Sequence, residues 1–178
     1  MNSPHAPSES NGRSFRIDRA LPDDVPALRA LVRTLAGYER LDALCTSRES
    51  DLRCALFGAH RCAEALIARL EPDSEICIGF ALFFHTYSTF LGRRSLWLED
   101  LFVLPDHRGR GIGRELLRTL ARLAVERDCG RFEWAVLDWN APAIGFYASL
   151  GANVLPDWRI ARVTGDALRS LAVDCDRR

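Results

Sequence analysis

The chain has 178 residues, of which 48% are hydrophobic, and this length suits one domain with a substantial core. Its 24 basic and 24 acidic residues give a formal net charge of zero, so no overall positive field favours nucleic acid or an anionic membrane as a partner. The six cysteines contain no C-x-x-C pair and the four histidines are dispersed, so we expect neither a metal site nor a redox motif.

The first 14 residues are rich in Ser, Pro and Asn and lack the apolar core of a signal peptide, and no apolar run in the chain reaches transmembrane length. This composition predicts a disordered leader over residues 1–14 of a cytoplasmic protein. No later change of composition and no internal repeat marks a domain boundary. We therefore expect one domain over residues 15–172 and a C-terminal tail over residues 173–178.

The first structured elements are a strand and two helices. Alternating apolar and polar residues over 15–19 predict a strand, and helical spacing then predicts a helix that Gly37 ends. Thr46 and Glu49 form a Thr-x-x-Glu capping box. A second helix is therefore predicted from near Thr46 to about Phe57.

Two further strands are predicted over 61–70 and 75–87, and an apolar run over 96–104 predicts the next one. Glu99 and Asp100 interrupt that run. A carboxylate in a mostly buried strand is costly unless it has a partner or a use. Because side chains alternate along a strand, we expect Glu99 and Asp100 to face opposite sides of the sheet, with Asp100 in a structural role.

Glycine occupies every second position from 109 to 113 in the segment 108–113. This segment follows the strand and leads into a helix predicted to about residue 128. Such a turn can point successive backbone N–H groups toward an anion at the positive end of the helix, and phosphate is the natural occupant. A Walker A loop is excluded because the chain contains no lysine, and the dinucleotide fingerprint is excluded because Arg114 stands where it needs glycine. An ordinary glycine-rich connection remains the alternative.

The last third of the chain predicts a strand over 131–137 and a helix that Asn140 caps and Gly151 stops. Weaker strand patterns follow over 152–155 and 158–163. The complete order is an α/β pattern in which an antiparallel meander joins a parallel pair of strands.

The loop pattern Arg-x-x-Gly-x-Gly, at Arg108, Gly111 and Gly113, resembles the pyrophosphate loop of the GCN5-related N-acetyltransferases (GNAT), which holds acetyl-CoA. A second pattern, Asn-x-x-Ala-x-x-Phe-Tyr-x-x-x-Gly over 140–151, is similar to the family segment that contacts the cofactor and ends in a catalytic tyrosine. The resemblance covers about residues 15–172. It implies an α/β domain whose mixed central sheet has an antiparallel meander and a splayed parallel strand pair, with helices on both faces.

Shorter matches are similar to the diamine (spermidine/spermine) acetyltransferase subgroup: Leu-Glu-Asp-x-Phe-Val over 98–103, Asp-Trp-Asn-x-Pro over 138–142, Tyr-Glu at 38–39 and Trp-Arg at 158–159. The resemblance implies a homodimeric enzyme, without a metal, that transfers acetyl from acetyl-CoA to a primary amine of a diamine or polyamine. A lysine-like amino acid or a protein amine is the alternative acceptor. A non-catalytic acyl-CoA-binding module is the alternative of a different class.

Acetyl transfer to an amine requires loss of a proton from the ammonium group and delivery of a proton to the departing thiolate. The resemblance assigns the first task to Glu99 and the second to Tyr147. The positions implied for cofactor binding are Leu101, Phe102, Val103, Arg108, Gly109, Arg110, Gly111, Ile112, Gly113, Asn140, Ala141, Pro142 and Ala143. The positions implied for the amine are Tyr38, Glu39, Glu99, Glu133, Trp134, Ala135 and Asp157.

Each assignment has a structural alternative. Glu99 can pair with one of the many arginines, and Tyr147 can pack beside Phe146. The Tyr-Glu pair at 38–39 can simply close a helix end. For the tryptophans at 134, 139 and 158, we expect packing in the core or in a dimer.

Overall fold

In the computed structural model, which describes residues 14–173, one five-stranded sheet positions the candidate functional residues. The strands are β1 (Phe15–Arg19), β2 (Glu64–Leu70), β3 (Cys77–Ser88), β4 (Arg93–Val103) and β5 (Arg131–Trp134). They lie in sequence order, antiparallel from β1 to β4 and parallel between β4 and β5. This sheet confirms the predicted antiparallel meander joined to a parallel pair.

The helices are distributed over two compact units, which are divided after Ala135. The first unit contains α1 (Val25–Tyr38), α2 (Glu49–Phe57) and α3 (Ile112–Glu126). The second unit contains α4 (Ala141–Ala148) and α5 (Gly165–Val173).

Helices cover both faces of the sheet in the first unit. On one face, α1 and α2 enclose a core with side chains of β2, β3 and β4. Its buried members are Leu28, Leu31, Leu35, Leu56, Ala65, Phe80 and Phe102. On the other face lies α3, whose buried stripe is Ile112, Leu116, Leu117, Leu120, Leu123 and Ala124. The guanidinium carbon of Arg127, just beyond α3, is 5.9 Å from the centroid of the Phe83 ring on that face.

The start of α2 differs from the prediction. The helix begins at Glu49, and the backbone N–H of Arg48 donates to the Asp51 carboxylate over 2.8 Å. The predicted capping box would instead have satisfied the N–H groups of Thr46 and Glu49. The capping box at Thr46 was wrong: the N-cap residue is Arg48, and the backbone N–H of Thr46 donates to the Leu44 carbonyl.

The C-terminal strand predictions were also wrong. Residues 152–155 and 158–163 form no strand in the described chain, and the next regular element is α5. A strand exists only through ladder hydrogen bonds to a neighbour, and these segments have none among residues 14–173. The strand predicted over 131–137 ends earlier, at Trp134, and the helix after Asn140 ends at Ala148.

The predicted leader over 1–14 and tail over 173–178 lie outside the described residues, except for Ser14 and Val173. No helix in the described range is long and apolar enough to cross a membrane.

Candidate active site

A β-bulge lies at Glu99 in the middle of β4. Asp100 pairs with Leu82 on β3, while Leu98 pairs with Phe83, the very next residue. Glu99 is therefore an extra residue on β4 without a partner on β3. Bulges of this kind redirect side chains and are common beside active sites.

The bulge places both carboxylates on the face that α1 covers. Phe80 and Phe84 are four residues apart on β3 and share a face, so their β4 partners, Phe102 and Trp97, also share it. The indole nitrogen of Trp97 donates to the Glu99 carboxylate over 2.9 Å. Leu82, the partner of Asp100, packs against the core under α1. The expectation that Glu99 and Asp100 face opposite sides was wrong, because it assumed unbroken alternation.

The carboxylates of Glu39 and Glu99 lie close enough to Asp100 for their charges to act on its carboxyl. Glu39 follows the last residue of α1, and partial burial raises the pKa of its carboxyl. Burial, together with the charges of Glu99 and Glu39, raises the pKa of Asp100 to about 6. Among residues 14–173, no arginine forms an ion pair with any of the three. An unneutralised acidic group of this kind favours a cationic ligand.

Sequence reasoning gave Asp100 no functional role, although its carboxyl has a raised pKa inside the predicted site. A bulge depends on how β4 pairs with β3, so strand alternation alone did not reveal it. The two adjacent acids in an apolar run were the available signal.

Other predicted amine-site residues have different surroundings. The Glu133 carboxylate pairs with Arg131 on the same strand over 3.1 Å. The Trp134 ring lies 4.9 Å from the Phe132 ring, centroid to centroid. Ala135 is exposed directly after β5, and Asp157 is exposed in a turn of the second unit. The structure thus brings Glu39 and Glu99 together with Asp100, and it gives Glu133 an arginine partner.

One edge of β4 is open beyond the bulge. Pairing between β4 and β5 runs only from Ser95 opposite Arg131 to Leu98 opposite Trp134. On that side, residues 99–103 have no strand neighbour in the described part of the chain, while their other edge pairs with β3. This is the splayed pair that the resemblance implied. Leu101, Phe102 and Val103 therefore lie where β4 has an unpaired backbone edge.

The glycine-rich loop follows a short 3-10 turn, Pro105–His107, at the end of β4. Gly109 and Gly111 have φ angles of 75° and 83°, in the left-handed region that favours glycine, and Gly111 caps the N-terminus of α3. A Cβ atom added at either glycine would meet no other atom within 4 Å. The first N–H groups of α3, starting at Ile112 and Gly113, have no carbonyl partner within the helix. Open space beside orphan N–H groups at a helix N-terminus suits an anionic phosphate.

The two loop arginines contact protein groups. The Nε of Arg108 donates to the Val103 carbonyl over 3.0 Å, and its guanidinium carbon lies 4.7 Å from the centroid of the Tyr38 ring. The same carbon lies 5.5 Å from the centroid of the Phe102 ring. The Nη2 of Arg110 donates to the Asp106 carbonyl over 3.1 Å. The stacking of Arg108 on Tyr38 joins two motifs that are distant in sequence, and sequence reasoning missed it.

The second signature occupies the start of the second unit. The Asn140 side chain accepts from the backbone N–H of Ala143 over 3.3 Å and caps α4, whose first turn contains Ala141 and Pro142. Tyr147 lies near the end of α4, half-buried, with its ring 5.4 Å from that of Phe146. Gly151, with a φ angle of 87°, follows the helix end as predicted.

No group of three or more His, Cys, Asp or Glu side chains within residues 14–173 is arranged to hold a metal ion.

The model of the Acetyltransferase (GNAT) family matches residues 29–152, a range that includes the bulge, the glycine-rich loop and α4. The chain belongs to this family. This GNAT protein is an N-acetyltransferase, and acetyltransferases with this fold use acetyl-CoA.

Proteins similar in sequence to this GNAT chain include N-acetyltransferases that are named for their amine substrates. An L-ornithine N5-acetyltransferase of Arabidopsis thaliana is 33% identical over 92% of this chain and 91% of its own length. A thialysine N-epsilon-acetyltransferase of Sus scrofa is 35% identical over 89% of this chain and 98% of its own length. A spermidine/spermine N(1)-acetyltransferase-like protein of Homo sapiens is 30% identical over 89% of this chain but only 24% of its own length.

Among solved structures, an integron cassette protein from the mobile metagenome of V. cholerae has a TM-score of 0.75 and 28% identity. The match covers 90% of this chain and 99% of that one. A second structure, a probable acetyltransferase, has a TM-score of 0.72 and 18% identity over 84% of this chain and 97% of its own. The GNAT fold of this chain therefore agrees with experimental structures.

Proposed function

We propose that this GNAT enzyme transfers the acetyl group of acetyl-CoA to a primary amine of a small aliphatic amine, such as a diamine. The observation that carries the proposal is the group formed by Glu39, Glu99 and Asp100, which has no arginine partner among residues 14–173. An alkyl amine is a cation at neutral pH, so three neighbouring carboxylates can attract it, and its positive charge offsets their mutual repulsion.

The same group supplies the base. A carboxyl with a pKa of about 6, as at Asp100, is closer to a useful proton acceptor at neutral pH than an ordinary aspartate is. Glu99, held by Trp97, provides the second carboxylate. In the proposed reaction these carboxylates orient the ammonium group and take its proton, directly or through water. The neutral nitrogen then attacks the thioester carbonyl.

Acetyl-CoA would supply the activated acetyl group, and three features of the chain suit its binding. The N–H groups at Gly111, Ile112 and Gly113 suit the pyrophosphate, and the open β4 edge at Leu101 and Val103 suits an extended amide chain. We assign polarisation of the thioester carbonyl to a backbone N–H of that edge. We assign the further cofactor contacts to residues 140–143, at the start of α4, because they resemble the family segment that contacts the cofactor.

Tyr147 completes the proposed chemistry. As the carbon–sulfur bond breaks, the sulfur takes the electron pair, and the phenol of Tyr147 donates its proton to that thiolate. The nitrogen loses a second proton as the neutral amide forms, and that proton returns through solvent to the Tyr147 phenolate. The first proton passes from the carboxylates to solvent, so the ammonium ion and acetyl-CoA give the amide, the CoA thiol and one released proton.

A second acceptor class is favoured by the names of the relatives. Ornithine and thialysine, on which two of them act, each combine a side-chain amine with an α-carboxylate. The three carboxylates here would repel such an α-carboxylate unless it lies away from them. A diamine with the same carbon chain but no α-carboxylate therefore fits this acidic group better than the amino acid does.

The decisive experiment is a turnover assay with matched acceptors: 1,4-diaminobutane against ornithine, 1,5-diaminopentane against lysine, and thialysine. Release of CoA thiol is measured for each, with an acceptor-free control for hydrolysis. We expect kcat/KM to be higher for each diamine than for its amino acid. A reversed order would replace the diamine with a lysine-like amino acid, and binding of acetyl-CoA without turnover on any amine would favour the non-catalytic module.

We also propose a homodimer. The second unit exposes large apolar side chains, including Trp158 at 76% and Ile160 at 69%, which a second copy would cover.

A further inference from the structure

Arg108 connects the end of β4, the glycine-rich loop and the end of α1. Its Nε–H group is engaged by the Val103 carbonyl, and its flat guanidinium group lies over the Tyr38 ring, with Phe102 also within 5.5 Å. Tyr38 is the last residue of α1, and Glu39 comes next in the chain. One side chain therefore spans from the candidate cofactor loop to the candidate amine site.

We propose that Arg108 is a positioning residue that clamps the end of α1 against β4, so that Glu39 stays beside Asp100, rather than a ligand of the pyrophosphate. The inference rests on the proposed function for its effect on the amine, but its structural part does not. It assigns to Arg108 a task that the Arg-x-x-Gly-x-Gly pattern does not indicate.

The geometry of the guanidinium group supports this assignment. An arginine combines a planar face that stacks on aromatic rings with donors in a fixed fork, whereas a lysine is a point charge without that face. Here the face is used by Tyr38 and one donor is used by Val103. Phe102 is only 3% exposed and belongs to the core, so it provides a rigid support.

The end of α1 is a place where such a clamp matters. Tyr38 is 38% exposed, and the next residues leave the helix through Arg40, whose φ angle is 61°. The backbone N–H of Glu39 donates to Leu35 over 2.9 Å, and that of Leu41 donates to Ala36 over 2.8 Å. Helix ends fray, and the exchange of these two amides reports how firmly this end is held.

The loop also offers a matched control. Arg110 stands two residues away, is exposed like Arg108, and donates to the Asp106 carbonyl within the same loop. Among the described contacts, it stacks on no aromatic ring. A lysine at either position keeps the positive charge that a phosphate requires, but at position 108 it removes the planar stack.

The experiment measures amide hydrogen exchange at Glu39 and Leu41 in the wild type, Arg108→Lys and Arg110→Lys. We expect exchange at both amides to accelerate about fivefold in Arg108→Lys and to stay at the wild-type rate in Arg110→Lys. Tyr38→Leu should reproduce the acceleration, while Tyr38→Phe, which keeps a ring, should not. Unchanged exchange in both Arg108→Lys and Tyr38→Leu would overturn the clamp.

Steady-state kinetics on the best amine then separate the two roles of the arginine. The clamp predicts that Arg108→Lys raises the KM for the amine about fivefold and changes the KM for acetyl-CoA less than about twofold. A raised KM for acetyl-CoA with an unchanged KM for the amine would show a phosphate ligand and overturn the proposal. If amide exchange is faster in Arg108→Lys but the wild type acetylates no amine, the clamp is supported and the proposed function is refuted.

Discussion

The indole nitrogen of Trp97 donates a hydrogen bond of 2.9 Å to the carboxylate of Glu99, two residues further along β4. The bond holds the side chain of the bulged residue on the face covered by α1. Among residues 14–173, no arginine forms an ion pair with this carboxylate, which is the pairing that the structural alternative for Glu99 required.

We expect Glu99→Gln to lower kcat/KM for the amine by about 10²- to 10⁴-fold, because the amide can still accept from Trp97 but cannot take a proton. Affinity for acetyl-CoA, measured by calorimetry, should stay unchanged. Glu126→Gln, on the exposed side of the end of α3, is the control for loss of one charge. Activity of Glu99→Gln equal to that control would mean that Glu99 is not the base.

Asp100→Asn should stabilise the free protein at pH 7 while reducing turnover. The pKa of Asp100 is raised to about 6 in the folded state. Between its unfolded pKa and pH 6, the folded state binds more protons, so the free energy of unfolding falls as pH rises through that window. Removing the charge should therefore raise the free energy of unfolding by about 1–3 kcal/mol at pH 7, and the gain should vanish below about pH 4.

Urea unfolding of wild type and Asp100→Asn at pH 4 and pH 7 measures this difference. Asp51→Asn is the control of opposite sign, because Arg48 lowers the pKa of Asp51 and the carboxylate caps α2. A destabilised Asp100→Asn variant at pH 7 would contradict the assignment of a costly charge to Asp100.

Gly111→Asp should abolish acetyl-CoA binding without unfolding the protein. The substitution adds a side chain and a negative charge where the N–H groups at the start of α3 suit a phosphate. Gly92→Asp is matched to it, since Gly92 also has a positive φ angle, 61°, and open space around its Cβ position, but lies in the turn before β4. Calorimetry should detect binding in the control alone. Wild-type affinity in a folded Gly111→Asp variant would remove the pyrophosphate assignment.

Tyr147→Phe should lower kcat by roughly 10²-fold, because the ring and its packing beside Phe146 are kept while the proton donor is lost. Affinity for acetyl-CoA and the free energy of unfolding should change little. Tyr87→Phe, at a side chain that is 65% exposed, controls for loss of a phenol. If Tyr147→Phe turns over at the wild-type rate, water or another group protonates the thiolate.

Sedimentation at micromolar concentration tests the homodimer. We expect a species of twice the chain mass, and Trp158→Ser should shift it toward the monomer, because it removes a large exposed apolar ring. A single species near the chain mass of 20.0 kDa for the wild type would refute the dimer.

Local signals carried most of what the sequence predicted correctly. Gly111 was predictable because a positive φ angle at the start of a helix favours glycine. Asn140 was predictable because asparagine is a common N-cap residue. Asp100 was misplaced because its orientation depends on the pairing of β4 with β3, which no residue on β4 reveals. The contact between Arg108 and Tyr38 joins residues 70 positions apart, so only the fold brings it about.

The early end of β5 leaves residues 99–103 of β4 without a strand neighbour on one edge. An open strand edge at a margin invites association with other chains, and proteins protect such edges with charges, prolines or bulges. Here the bulge at Glu99 begins the open stretch and Pro105 follows it, so the edge available to another strand is short. The enzyme can thus present backbone groups to an extended ligand on an edge that is poorly suited to pairing with another sheet.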